Sequence, residues 1–299
     1  MPIYNITDVS REASNLYYEG LKKMRSEGTN QVLKYLAQYK YERPNLNFFE
    51  AMKYFNVEIK IIDNARNYYF QRKDIINDTV VLVLHGGGYV LPASQNNIHG
   101  AVLYSKYMND IDVMLPDYKV ASQGSHMEAL KNAYNSYLYL KSKYKKIILA
   151  GQSAGGNLAL GLLEYLKDNK EELPICVVLA SPWCDIKCEG KSYRENMNDD
   201  ILFGSANGDI LPDPYNGNYD KYMFPLDFDM DNYPPIMINV AKTEMLLSDS
   251  LSLYDKLDQD KSEMYLYPLM WHDFYTHDDE LKECNDCWNR IRKFVNKNI

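Results

Sequence analysis

Ser153 stands at the centre of Gly151-Gln-Ser-Ala-Gly155, between the apolar run Lys146–Ala150 and the Ala/Leu-rich stretch Ala154–Lys167. A strand, a tight turn and a helix in that order hold a serine hydroxyl exposed at the carboxyl edge of a sheet. The turn closes only if the flanking residues are small. The helix beginning at Ala154 points its first N–H groups at negative charge forming beside the serine. The chemistry such a serine does is attack on an acyl carbon. A second cluster, His85-Gly-Gly-Gly-Tyr89, follows the apolar run Val80–Leu84. Glycines there leave backbone N–H donors uncovered by side chains. With one more N–H from the residue after the nucleophile they can form an oxyanion hole. The candidate donors are Gly86, Gly87 and Ala154, and His85 reads as structural.

A nucleophilic serine needs a base, and the base needs an orienting acid. The chain has five histidines, at 85, 99, 126, 272 and 277. Behind such an elbow the acid and then the histidine follow along the chain, which leaves His272 and His277. His272 comes a short loop after the strand-like Met264–Tyr267, where a base at the sheet's carboxyl edge belongs. His277, beside Asp278 and Asp279, reads as a surface or helix-start residue. The acid is expected after the strand-like Ile236–Val240. Glu244 is the best placed, with Asp249 and Asp273 as alternatives; Asp249 also reads as a charge near a helix N-terminus.

These residues need a scaffold, and the apolar pattern supplies one. Residues 1 to about 55 are polar and Tyr-rich. Leu33, Tyr35 and Leu36, then Phe48, Phe49, Met52 and Phe55, have helical spacing, and no strand-like run is evident there. Val57, Ile59 and Ile61 alternate as in a half-buried strand. Beyond them, strand-like runs at Val80–Leu84, Asp112–Leu115, Lys146–Ala150, Ile175–Ala180, Ile236–Val240 and Met264–Tyr267 alternate with helical stretches. The helical stretches lie at about 96–109, 124–144, 154–167, 248–257 and 279–295. That rhythm predicts an α/β fold with a mostly parallel central sheet and helices on both faces. Residues of about 186–234, rich in Asn, Asp, Gly and Pro, break the rhythm and read as an insertion near the active site.

Composition excludes several roles. The 299 residues carry 33 Lys+Arg against 41 Asp+Glu, a net charge of −8, which speaks against nucleic-acid binding. No apolar run approaches the roughly 20 residues that span a bilayer, and the N-terminal residues lack the pattern of a secretory signal. Five cysteines, an odd number, point to a reducing compartment rather than a disulfide scaffold. A cytoplasmic protein is expected. Cys284-Asn-Asp-Cys287 falls in the final helical pattern and reads as one helix face; with Cys184 and Cys188 it could at most form a four-thiolate zinc site, and no metal is expected. The 27 tyrosines against 9 phenylalanines read as a composition bias shared with Asn, Lys and Ile.

The motifs together resemble the hormone-sensitive-lipase branch of the α/β-hydrolases, the bacterial family IV esterases. His85–Tyr89 is similar to its H-G-G-G signature, Asp117-Tyr-Lys-Val-Ala121 to D-Y-R-L-A, and Gly151–Gly156 to G-D-S-A-G-G. Ser181-Pro-Trp-Cys-Asp185 is similar to S-P-W-x-D, Glu244–Asp249 to the acid loop of members that use Glu, and His272-Asp-Phe274 to H-G-F. The resemblance covers the chain from about Val80 to its end. It implies a carboxylesterase for short, acetyl-like acyl groups with no cofactor. It also implies a helical cap made from residues 1–55 and the insertion, on a catalytic domain of 56–299. Three residues depart from the pattern: Gln152 for Asp, Ser122 for Pro, and Asp273 for a small residue, where it adds charge beside the base. Tyr89, Trp271 and Phe203 are expected to line the substrate pocket, with Tyr222 a further candidate and Trp183 more a packing residue. The partner expected is a small-molecule ester, with no nucleic acid or membrane, and a homodimer is left open. A ligand-binding member of the fold without hydrolysis, and an amidase or peptidase using the same triad, are the alternatives.

Overall fold

The computed structural model describes all residues except 1–2, 28–30, 109–110, 206–207 and 209–210, and it leaves out the side chains of 31, 33 and 34. The helical position assigned to Asn109 therefore lies outside the described residues, while Leu33 falls within a helix. The strands are β1 (Tyr4–Asn5), β2 (Phe55–Ile62), β3 (Ala65–Arg72), β4 (Thr79–Leu84), β5 (Asp112–Asp117), β6 (Lys146–Gln152), β7 (Cys176–Ala180), β8 (Ile236–Ala241) and β9 (Glu263–Tyr267). They form one nine-stranded sheet in the order β1-β9-β8-β7-β6-β4-β5-β3-β2. Every pairing is parallel except β2 with β3 and β3 with β5. The helices are α1 (Arg11–Glu27), α2 (Gln31–Gln38), α3 (Gln95–Tyr107), α4 (His126–Lys141), α5 (Ala154–Asp168), α6 (Ser192–Glu195), α7 (Leu247–Lys256) and α8 (Lys282–Asn298).

The period-2 alternation of a strand divides the central sheet between two cores. Val80, Leu82 and Leu84 face one core with Leu149 and Leu179, packed against α4, α5 and α7 through residues such as Leu130, Leu158 and Leu253. Val81 and Val83 face the other with Ile148 and Val178, packed against α3 and α8 through Ile98, Leu103, Trp288 and Ile291. Both faces are covered, which is why these strands read as unbroken apolar runs. Helix α4 begins later than the pattern suggested because Ser125 caps it. Its side chain accepts from the Glu128 N–H while Glu128 reaches back to the Ser125 N–H.

Three features depart from the sequence expectation. The first segment does contain a strand: β1 pairs in parallel with β9, placing Tyr4 opposite Tyr265. Strand β3 was hidden because Arg, Asn and Gln interrupt its apolar residues. The turn before it, Asp63-Asn64, has φ of 48° and 61°, the two-residue geometry that joins hairpin strands. Strand β2 lies at the sheet's outer edge, so Ile59 and Ile61 stay 50% and 65% exposed rather than facing a core.

The insertion carries α6 and two short 3-10 turns, 221–223 and 225–227. Helix α1 packs on it: Tyr17, Leu21 and Met24 bury one face against Ile201 and Leu269, and the Tyr17 hydroxyl donates to the Asp199 carbonyl at 2.9 Å.

The approach that positions the serine is where α5 meets β4. A Cβ on Gly155 would overlap the carbonyl oxygens of Leu84 and His85. Gly155→Ala is therefore expected to cost about 3 kcal/mol or more. Gly217→Ala, where nothing lies within 4 Å but φ is +80°, should cost roughly 1–2 kcal/mol. Thermal melts of the two variants test this, and equal losses would mean that α5 has room to shift.

Candidate active site

The strand–turn–helix reading of Ser153 holds. The residue joins β6 to α5 with φ 53° and ψ −120°, a strained conformation for a side chain that bears a Cβ. Its N–H donates to the Ala180 carbonyl at 2.9 Å, and its own carbonyl accepts from the N–H groups of Gly156 and Trp183 at 2.9 and 3.1 Å. The turn closes because a Cβ on Gly151 would meet the Gly155 carbonyl oxygen at 2.5 Å, and one on Gly156 would meet Pro182 at 2.8 Å.

The glycine loop lies beside the serine. A Cβ on Gly86 would sit 3.3 Å from the Ser153 Cβ. Among the described residues, no protein acceptor takes the N–H of Gly86, Gly87 or Ala154, so all three remain for an oxyanion. The loop is braced from behind by the Asp117-Tyr118 stretch. The Tyr118 hydroxyl donates to the His85 carbonyl at 2.7 Å, and its ring stacks on the His85 imidazole at 4.2 Å. The Ala93 N–H donates to Asp117 Oδ1 at 3.0 Å. His85 is fully buried and structural.

His272 Nδ1 donates to Glu244 Oε2 at 2.7 Å. The other Glu244 oxygen accepts from Ser181 Oγ at 2.8 Å and from the Ala241 N–H at 2.6 Å. Glu244 is wholly buried, and these bonds stand in for water around its charge. His272 Nε2 is buried with no hydrogen-bond partner among the described residues, and His272 lines the same cleft as Ser153. The alternative acids serve elsewhere. Asp249 accepts from the Cys184 and Asp185 N–H groups, both at 2.8 Å, and from the Tyr193 hydroxyl at 3.0 Å, which ties down the loop after β7. Asp273 Oδ2 lies 3.4 Å from His272 Nε2, the nitrogen that faces the reaction and not the one an orienting acid holds.

The cleft has a volume of about 330 Å³ and is mostly apolar. Trp271 and Phe203 line it as expected, and the Phe203 ring lies 4.6 Å from the His272 ring. Tyr89 does not. Its φ of 58° turns the ring inward, where it packs on Tyr118, His126 and Tyr215 and its hydroxyl donates to Asn157 Oδ1 at 2.7 Å. Tyr222 is likewise outside the cleft, bonded to Asp168. Trp183 lines the cleft while donating its indole N–H to the Asp185 carbonyl. His277 is not a helix-start residue: α8 begins at Lys282, and His277 lines the cleft, with burial lowering its pKa to about 4.

Several supporting residues escaped the sequence reading. Ser181 was visible only as part of a motif. Asp200 accepts from the Met245 N–H at 2.8 Å and from the Phe203 N–H at 2.9 Å, joining the acid loop to the ring over His272. Asn196 donates to the Lys242 and Glu244 carbonyls. Thr243 Oγ1 donates to the Met270 carbonyl at 2.6 Å, bracing the acid loop on the histidine loop. Nothing in their spacing marked them. Cys284 and Cys287 are buried in the core under α8, and no group of three or more metal-ligating side chains occurs among the described residues. No helix among them is long and apolar enough to cross a membrane.

A family described as having the alpha/beta hydrolase fold matches residues 81–276. An esterase of Acinetobacter venetianus is 29% identical over 232 residues, 72% of this chain and 74% of that one. An acetyl-hydrolase of Streptomyces hygroscopicus is 30% identical over 182 residues, 58% and 60% of the two chains. The crystal structure of an esterase from the bacterial hormone-sensitive lipase family superposes with a TM-score of 0.79 at 20% identity, covering 98% of this chain and 100% of the other.

Burial disfavours the His272 imidazolium, but the Asp273 charge, the Glu244 hydrogen bond and charge, and Asp200 outweigh it and raise the pKa from 6.5 to about 9. A base must be neutral to take a proton, so turnover should fall as pH drops through that raised value. Burial raises the pKa of Asp273 itself only to about 7, so it is charged across this limb. The expected profile of kcat/KM has its acid limb well above pH 6.5, and Asp273→Asn moves the limb downward. A wild-type limb at 6.5 or below, or one that Asp273→Asn leaves in place, contradicts this.

Proposed function

The chain belongs to the α/β-hydrolase family, and from that premise we propose that it is a serine carboxylesterase that hydrolyses short-chain acyl esters through an acyl-enzyme. The observation that carries the reading is the buried 2.7 Å bond from His272 Nδ1 to Glu244. That bond fixes the tautomer with a free Nε2 facing the cleft of a serine on a nucleophile elbow.

Ser153 Oγ attacks the ester carbonyl carbon as its proton passes to His272 Nε2. The carbonyl oxygen becomes an oxyanion held by the N–H groups of Gly86, Gly87 and Ala154. Glu244 stabilises the imidazolium. The C–O bond to the alcohol breaks as Nε2 returns the proton to the leaving oxygen. Water, deprotonated by the same nitrogen, then attacks the acyl-enzyme and releases the carboxylic acid and Ser153.

The names borne by the relatives, an esterase and an acetyl-hydrolase, support this activity. The cleft volume of about 330 Å³ is at the small end of the roughly 300–1,000 Å³ of ligand pockets and supports the short acyl group. Val32 and Leu36 of α2 and Leu202 and Leu211 of the insertion line the cleft, which supports a cap role for residues 1–55 with 186–234. The five cysteines are all free, which supports a reducing, cytoplasmic location.

Ser153→Ala should remove hydrolysis of p-nitrophenyl acetate by about a thousandfold or more with an unchanged melting temperature, and should abolish labelling by a fluorophosphonate. Wild-type protein that neither turns over the ester nor takes the label would favour a binding role instead. Across a p-nitrophenyl series kcat/KM is expected to fall from butyrate to laurate, and a rise would overturn the short-chain assignment.

A further inference from the structure

Asp273 is an anomaly inside the site. It takes a left-handed backbone conformation, with φ 57°, at a position where the resemblance puts glycine. Its carboxylate is turned towards the reacting groups: Oδ2 lies 3.4 Å from His272 Nε2 and 3.5 Å from where a Cβ on Gly86 would be. Its Oδ1 is buried without a hydrogen-bond partner, and no lysine or arginine lines the cleft, among the described residues. A buried acceptor left unmatched costs about 1–3 kcal/mol, and the strained backbone adds to that.

The neighbouring space explains the arrangement. A cavity of about 160 Å³ adjoins the cleft behind the oxyanion glycines, and Asp273 borders both. Where the cleft is apolar, this cavity is bordered by Ser94, Asn97 and Gln152. Gln152 is only 1% exposed. Its Oε1 accepts from Asn97 Nδ2 at 3.3 Å, but its Nε2 has no partner among the described residues. Gln152 with its unmatched donor and Asp273 with its unmatched acceptor thus border one small cavity beside Gly86, as does His277, whose Nδ1 is also unmatched among the described residues. The group that needs one of each is a hydroxyl.

The place of that hydroxyl in the substrate follows from the reaction. Nε2 hands its proton to the leaving oxygen, so the carbon bearing that oxygen sits next to Nε2 and within reach of Asp273. We propose that this cavity is a subsite for a second hydroxyl on the leaving alcohol. It donates to Asp273 and accepts from Gln152, so esters of diols and polyols with a free hydroxyl beside the ester are the favoured substrates. The inference rests on the esterase reading above and names its substrate class.

The test compares 2-hydroxyethyl acetate with 2-methoxyethyl acetate, whose alcohols have similar acidity while only the first can donate. The wild-type ratio of kcat/KM should be about tenfold or more, as for a hydrogen bond to a charged group. In Asp273→Gly, which suits the positive φ, the ratio should fall to about one. Gln152→Met should lower it in part. Asn tolerates the left-handed region and keeps a neutral acceptor, so if the glycine variant fails to fold, Asp273→Asn should lower the ratio in part, by the loss of the charge. A wild-type ratio near one overturns the proposal, as does a ratio that survives both substitutions, provided the wild type hydrolyses p-nitrophenyl acetate. If it hydrolyses none of the three esters, the esterase reading falls first and this inference with it.

Discussion

The close approach of α5 to the carboxyl ends of β4 and β6 governs the site. Side chains on Gly151, Gly155 or Gly156 would collide with backbone or with Pro182, so only a run of small residues lets the helix start this near the sheet. The chain reverses within one residue, and that residue is Ser153 at φ 53°. The same approach sets Gly86 against the serine and leaves the first N–H groups of α5 free for developing charge. The nucleophile and its oxyanion donors are therefore products of one packing constraint.

Around that turn the protein buries several carboxylates, each against a cost that only hydrogen bonds can offset. Glu244 is matched by Ser181, Ala241 and His272. Asp249 Oδ2 accepts from two backbone N–H groups and Tyr193. Asp200 is matched by the N–H groups of Leu202, Phe203 and Met245. These bonds tie the insertion, the loop after β7 and the acid loop to one another, so the charges hold the loops in place as much as the loops hold the charges. Asp273 is held by fewer bonds: its backbone N–H reaches Ser181 Oγ at 3.4 Å, and its Oδ1, like that of Asp249, has no partner among the described residues.

What was legible in the sequence was what is contiguous in it. The elbow, the glycine loop and the parallel strands each declare themselves within a few residues, because a tight turn or a doubly buried strand restricts every position it uses. Ser181 did not, since its role depends on β7 lying beside β8, where its N–H meets the Asn239 carbonyl at 2.9 Å. Asp200 lies in irregular backbone with no period to read. Tyr89 misled through contiguity: adjacency to Gly88 placed its Cα at the site, but a positive φ sent its ring the other way. Strand β3 was missed because Arg66, Asn67 and Gln71 interrupt its apolar residues, although Tyr68 and Tyr69 are as buried as the core demands.

The burial of Tyr68 and Tyr69 bears on the tyrosine excess. Ten of the twelve largest fully buried side chains are tyrosines, so they fill positions where phenylalanine would serve for packing alone. A buried phenol usually takes a partner for its hydroxyl; those of Tyr104 and Tyr275 have none among the described residues, but three others meet partners around the site. Tyr118 anchors the His85 carbonyl at the base of the oxyanion loop. Tyr89 donates to Asn157 of α5, whose amide in turn donates to the Met223 carbonyl of the insertion at 3.0 Å. Tyr193 fixes Asp249 beneath the loop after β7. The hydrocarbon of each ring supplies burial while its oxygen links a loop of the site to the scaffold. A codon bias can account for how many tyrosines there are, but not for where their hydroxyls end: phenylalanine at 89 or 118 would keep the packing and leave a buried acceptor with one bond fewer.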